Sequence, residues 1–92
     1  MTPVQQWMQK VAELGCILCR RLELGETPAC LHHPKTGGKR ASNWDVIPLC
    51  PYHHQGKDGV HGLSRRKFEA FYGVTEMELL QQVKDLVKGA RP

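Results

Sequence analysis

Cys50-Pro51-Tyr52-His53-His54, read together with Cys30-Leu31-His32-His33-Pro34, decides the fold of this chain. With His61 added, these fragments hold all 5 histidines of the 92 residues. A Cys-x-x-Cys pair, Cys16 and Cys19, lies upstream. Thiolate and imidazole are the ligands zinc prefers, and a structural zinc takes four of them in a tetrahedron. The chain offers more such ligands than one ion can use. That surplus implies two metal sites, one that holds the fold and one that does chemistry.

The first site follows from spacing. Cys16 and Cys19, in a compact turn, present two thiolates at a close, fixed angle, and Cys50 with His53 repeats the same spacing at a strand-to-helix junction. The stretch between Cys19 and Cys50 has room for a hairpin, as a treble-clef-like site requires. Cys30 reads as a small buried apolar residue rather than a ligand. Four cysteines allow two disulfides in three pairings, but nothing resembling a secretory leader follows Met1, which makes a reducing cytoplasm the expected compartment. A redox Cys-x-x-Cys of thioredoxin type would need a βαβ context that the sequence lacks.

His32, His33, His54 and His61 remain. Three imidazoles around a catalytic ion leave a coordination position open for water or phosphate. Neighbours on a strand face opposite ways, so one of His32 and His33 can be a ligand while the other stands free as a base. A cation beside that base would neutralise a phosphate and polarise the leaving oxygen, which is what phosphodiester hydrolysis needs. A second structural zinc is the alternative use of the same residues.

Composition sets the frame. At 40% apolar residues the chain is globular, and at this length it is one domain, short enough to lean on metal. A formal charge of +4 and a pI near 9.0 suit an anionic partner such as nucleic acid. No stretch approaches the ~20 apolar residues of a membrane span. Thr2-Pro3 opens a helix carrying Val4, Trp7, Met8, Val11 and Leu14, which Gly15 can stop. Residues 15 to 29 read as irregular, Ala29 to His33 and Trp44 to Leu49 as strands, and Pro34 to Ser42 as a polar loop. Pro51 places His53 and His54 in the first turn of a short helix. Ser64 caps a helix of Arg65 to Tyr72 with Phe68, Phe71 and Tyr72 inward, ended by Gly73. Thr75-Glu76-Met77-Glu78 is a capping box opening a last helix with Leu79, Leu80, Val83, Leu86 and Val87 on one face and Gly89 at its end.

Leu31-His32-His33-Pro34, Ser42-Asn43-Trp44-Asp45 and Ile47-Pro48-Leu49-Cys50-Pro51-Tyr52-His53-His54 together resemble the HNH nuclease family. That family presents a His-His or Asp-His pair at the end of one strand, an Asn-bearing loop, a second strand and a histidine on the following helix. With Gly59-Val60-His61-Gly62-Leu63, Phe68-Glu69 and Tyr72-Gly73, the likeness narrows to the phage recombination-enhancement, RecA-dependent nucleases and spans residues 14 to 88. The resemblance implies a small α+β fold in one HNH nuclease domain, 1–92. Its ββα-metal, treble-clef-like core would occupy about 14–63, flanked by helices at 3–14, 64–72 and 76–88.

By position, the resemblance makes His33 the general base and His32, His54 and His61 the ligands of a divalent active-site ion, Mg2+, Mn2+ or Zn2+. Cys16, Cys19, Cys50 and His53 would hold structural zinc. The family's central Asn falls at Asp45, with Asn43 two residues earlier, and either can orient the loop and the base. Lys35, Lys39, Arg40, Lys57, Arg65, Arg66 and Lys67 flank the histidines and would hold DNA phosphates, with little sequence specificity. Relatives of this kind carry a long basic N-terminal extension associated with engaging RecA-coated DNA. The present sequence begins almost at the core, so RecA dependence does not carry over with the resemblance: RecA-coated DNA, another recombination protein as partner, and weaker DNA binding are open expectations. The expectation is a metal-dependent DNA endonuclease of phage or prophage recombination, acting in the bacterial cytoplasm. The competing one is a non-catalytic two-zinc adaptor for DNA or protein. The intact His32-His33 pair favours the enzyme, because an adaptor has no need of a free histidine beside a ligand.

Overall fold

A computed structural model describes residues 1–36 and 38–87. Helix α1, Pro3–Glu13, starts where local chemistry demands. The Thr2 hydroxyl accepts from the Gln5 backbone N–H, and the Gln5 side chain closes the capping box. Its buried residues Trp7 and Val11 face the core. The stretch expected to be irregular contains a short helix, α2, Ile17–Arg21. The Cys16 thiol caps it by accepting from the Cys19 N–H at 3.3 Å, so the expected thiol-bearing turn continues into a helical one.

Strand β1, Cys30–His32, pairs antiparallel with β4, Ile47–Leu49, in the register Cys30↔Leu49, Leu31↔Pro48, His32↔Ile47. Both are shorter than the sequence pattern suggested. The polar loop between them is itself folded, with β2, Lys35–Thr36, pairing with β3, Lys39–Arg40. Helix α3, Pro51–Gln55, follows β4 directly, with Cys50 as its N-cap. Helix α4, Arg65–Tyr72, is capped by Ser64 and ends at Gly73, whose φ of 66° is the left-handed conformation glycine takes at no steric cost. Helix α5, Glu76–Leu86, opens with the Thr75/Glu78 capping box. Gly89, its expected end, lies outside the described residues.

The core forms where α1, α2, β4 and α5 meet, around the fully buried Val11, Ile17, Leu18, Ile47, Leu49 and Leu79, with Phe68 of α4 added. Three expectations fail at its margin. Phe71 is 64% exposed, because among the α4 aromatics only Phe68 and Tyr72 turn toward the body of the protein, and Phe71 lies outside in a T-shaped contact with Tyr72. Leu86 is 45% exposed, at the end of α5 beyond the area its neighbours cover. Cys30 is exposed rather than buried. The Trp7 indole N–H donates to the Trp44 carbonyl at 3.1 Å and the two rings pack together, tying α1 to the segment before β4. Lys84 of α5 pins the same segment through Asp45 at 2.8 Å. The fold is small α+β. Among the described residues no helix is long and apolar enough to cross a membrane.

Candidate functional site

Two N-caps build the first cluster. Cys16 caps α2 and Cys50 caps α3, so each Cys-x-x-ligand pair sits on a first helical turn with both donors on one side. The thiols of Cys16, Cys19 and Cys50 lie 3.5, 3.4 and 3.4 Å from His53 Nδ1, and Cys19 and Cys50 are 3.8 Å apart. Zinc–sulfur and zinc–nitrogen bonds of about 2.3 and 2.1 Å at the tetrahedral angle would separate the donors by about 3.6 to 3.8 Å. The four side chains are at most 5% exposed, and no cysteine is in a disulfide. Cys16, Cys19, Cys50 and His53 could therefore hold a metal ion, and their chemistry fits zinc. Burial pushes the Cys16 thiol up to about 12, so at neutral pH only a bound cation would take its proton away. Burial also lowers the His53 pKa, favouring the neutral imidazole a ligand must be.

The second cluster assembles on the neighbouring face. His32 ends β1, His54 follows His53 on α3, and His61 comes from the loop beyond; one ring nitrogen of each lies within 4.8 Å of the others. His54 Nε2 and His61 Nε2 are 3.1 Å apart. The return of His61 depends on glycine. The Val60 N–H donates to the His53 carbonyl at 2.9 Å and the His61 N–H to the His54 carbonyl at 3.0 Å, folding the loop flat onto α3. A Cβ at Gly59 would stand 2.6 Å from the Tyr52 carbonyl oxygen, and one at Gly62 would collide with the Gly56 carbonyl. The His54 pKa is lowered, first by burial and then by His32 and His61, which keeps this ring in its ligating form. This trio too could hold a metal ion. It borders a cleft of about 200 Å³ lined in part by His32, His33, Lys35, His61 and Arg65.

His33, just past β1, faces differently from His32. Its Nε2 donates to Asn43 Oδ1 at 2.9 Å, and Arg40 Nη2 lies 3.0 Å from its Nδ1. Of the two candidates for orienting it, Asn43 makes the contact, whereas Asp45 engages Lys84 and Ser42. Lys35, Arg40 and Arg65 line the clefts around the histidines. Lys39, Lys57, Arg66 and Lys67 are exposed elsewhere on the surface.

Two residues touch the histidine trio that the sequence reading did not assign to it: Cys30, read there as a buried apolar residue, and Glu76, given no role at the site. Cys30 lies outside both ligand groups, yet its Sγ is 3.0 Å from His54 Nδ1 and donates to the Leu49 carbonyl at 3.3 Å. Glu76 is buried against His32 at 2.6 Å. In sequence it is a first-turn acid in a capping box, a role that would leave it in water.

Fold and clusters together define a small α+β Cys/His domain with a buried metal-capable group and, beside it, a trio of histidines running from buried His32 to exposed His61. Over residues 2–88 the chain matches, and belongs to, the family described as "Recombination enhancement, RecA-dependent nuclease". The family description is that of a nuclease, an enzyme acting on nucleic acid, with a RecA-linked role in recombination. No curated protein matches the chain.

Proposed function

We propose that the chain is a metal-dependent DNA endonuclease of HNH type that hydrolyses phosphodiester bonds in recombination. In this reading β1, β4 and α3 are its ββα-metal core, and Cys16, Cys19, Cys50 and His53 hold a structural zinc. His32, His54 and His61 hold a divalent ion, Mg2+, Mn2+ or Zn2+. When bound there, that ion supplies positive charge to the scissile phosphate and its leaving oxygen. The observation that carries the reading is His33, held by Asn43 at 2.9 Å beside the trio. Because Asn43 Oδ1 can only accept, the His33 proton sits on Nε2 and Nδ1 keeps its lone pair. Nδ1 is then the atom that takes a proton from the attacking water. Arg40 covers that nitrogen in the free protein, and an entering phosphate offers its guanidinium a stronger partner. Lys35 and Arg65 line the cleft, where they meet the DNA backbone, and Lys39, Lys57, Arg66 and Lys67 extend the basic surface.

The test compares nicking of plasmid, single-stranded and RecA-coated DNA by the wild type and by His33→Ala, with Mg2+, Mn2+ or Zn2+ present. Wild-type cleavage reduced about 10²- to 10⁴-fold by the substitution is expected. Equal cleavage by both removes His33 as the base and overturns the reading at the observation that carries it; cleavage by neither on any DNA form overturns it in favour of a non-catalytic two-zinc adaptor.

A further inference from the structure

The buried polar or charged side chains among the described residues are His32, His53 and Glu76. His53 is accounted for by the cysteine cluster. The other two are each other's partners across 44 positions of sequence, His32 Nε2 to Glu76 Oε1 at 2.6 Å. The second carboxylate oxygen of Glu76 accepts from Arg65 Nε at 2.9 Å. The Glu76 backbone N–H donates to Glu69 Oε2 at 2.8 Å, which fixes the first turn of α5 against α4. Burying a carboxylate is costly unless its oxygens are satisfied, and starting a helix does not require it.

We propose that Glu76 is a positioning residue for the histidine site. Its carboxylate holds His32 in the tautomer with the proton on Nε2, so that Nδ1 presents a lone pair to a divalent cation, and Arg65 holds the carboxylate in place. A neutral imidazole carries one proton, and a carboxylate that accepts from both sides leaves that proton nowhere else to be. Carboxylate–histidine–metal chains of this kind orient the ring and raise the basicity of the ligating nitrogen. The inference rests on reading His32, His54 and His61 as a metal site. It adds that α5, which contributes no ligand, sets the aim of one.

Glu76→Gln makes the claim specific. An amide has one accepting and one donating end, and Arg65 Nε can only donate, so it claims the amide oxygen. The amide NH2 then faces His32 Nε2 and forces the imidazole proton onto Nδ1, the nitrogen the cation needs. Replacing Arg65 by Ala in the same protein frees the amide to turn its oxygen toward His32, and the competent tautomer returns.

The probe is Co2+ alone, titrated into the zinc-loaded full chain and followed by its visible absorption. Long-range 1H–15N spectra of the cobalt-free protein report the His32 tautomer. Glu76→Gln is expected to bind Co2+ about 10- to 100-fold more weakly, with most of that loss recovered in Glu76→Gln/Arg65→Ala. The spectra should show the proton on Nε2 in the wild type and the double variant and on Nδ1 in the single variant. Unchanged Co2+ affinity in Glu76→Gln, or a double variant no better than the single, overturns the proposal and leaves Glu76 as a strut between α5 and β1. A wild-type spectrum with the His32 proton on Nδ1 overturns it with no variant at all. His54→Ala separates the two claims. If it binds Co2+ as the wild type does, the three-histidine site itself is wrong; if it abolishes binding while Glu76→Gln does not, only the role of Glu76 is.

Discussion

If Cys16, Cys19, Cys50 and His53 hold the structural zinc proposed above, stripping that ion should unfold the whole domain. Structural zinc contributes about 10 to 16 kcal/mol in small zinc-dependent folds, whereas a domain of this size has only about 5 to 15 kcal/mol of net stability. The residues around the site have little to fall back on. Helices α2 and α3, which carry the ligands, are 5 residues each. That is far below the ~12 to 15 residues at which an isolated helix is even marginal in water. Without the ion, three thiols and an imidazole are left crowded 3.4 to 3.8 Å apart in a site sealed from solvent. The assay titrates a competing chelator into the zinc-loaded protein and follows zinc release, far-UV circular dichroism and tryptophan emission together. Trp7 and Trp44 pack against each other with ring centroids 5.9 Å apart, so loss of the fold exposes both and shifts emission to the red. The three signals should move together and return when zinc is restored. Release of one zinc per chain with dichroism, emission and melting temperature unchanged would refute the reasoning.

Acid should destabilise the fold through its histidines. His53 and His54 both have lowered pKa values, burial being the first cause, so their contribution is present above the ordinary 6.5 and is lost as pH falls through the depressed folded values. Urea midpoints that stay flat or rise as pH drops below 6.5 would contradict this. Asn43→Ala should lower DNA nicking about tenfold or more by freeing the His33 ring, whereas Asp45→Ala should cost at most about 1 kcal/mol of stability, the scale of a partly exposed ion pair such as that with Lys84. Kinetics and melting curves of the two variants check the division, and the reverse pattern would exchange the two roles. Cys30→Ala should weaken Co2+ binding at the histidine trio about tenfold with little change in melting temperature, because the Cys30 sulfur is the acceptor available to the His54 Nδ1–H; unaltered affinity would dismiss the contact.

The parts of the molecule that sequence reveals are those whose causes are local. Thr2 with Gln5, Ser64 with Gly73 and Thr75 with Glu78 each settle a helix end within a few residues, and each is found in place. The Cys16/Cys19 and Cys50/His53 spacing works the same way, since each pair needs only one helical turn to converge. Strands of two or three residues are too short to carry a readable alternation, which is why β2 and β3 looked like loop. The outward turn of Phe71 and Leu86 depends on how wide a surface the partner element covers, and helical period does not encode that width. Asn43 and Asp45 differ only in the path of one short turn, set in part by the Trp44 N–H donating to Ser42 Oγ at 3.2 Å. Glu76 was hidden by a sufficient local explanation, because a glutamate beside Thr75 already has a reason to be there.

The neighbouring places of His53 and His54 on α3 make the two clusters mechanically dependent, and dependent in one direction. Successive helical residues are rotated by ~100°, so the helix can send one imidazole into the cysteine cluster and the next toward the trio. A helix of 5 residues has no long apolar face to fix its rotation. The buried His53 and the N-cap Cys50 fix it instead, and the loop carrying Val60 and His61 is hydrogen-bonded to His53 and His54 in turn. Any loosening of the cysteine cluster therefore tilts both His54 and His61 away from His32. The reverse does not hold. His54 is a half-buried ring at the edge of the cleft, and removing it leaves the thiols and His53 where α2 and the core hold them. With Glu76 reaching His32 from α5, each histidine of the trio is held from a different side: by the cysteine cluster, the glycine loop or the last helix. The strand pair alone, three residues by three, could not keep three imidazoles aimed at one point.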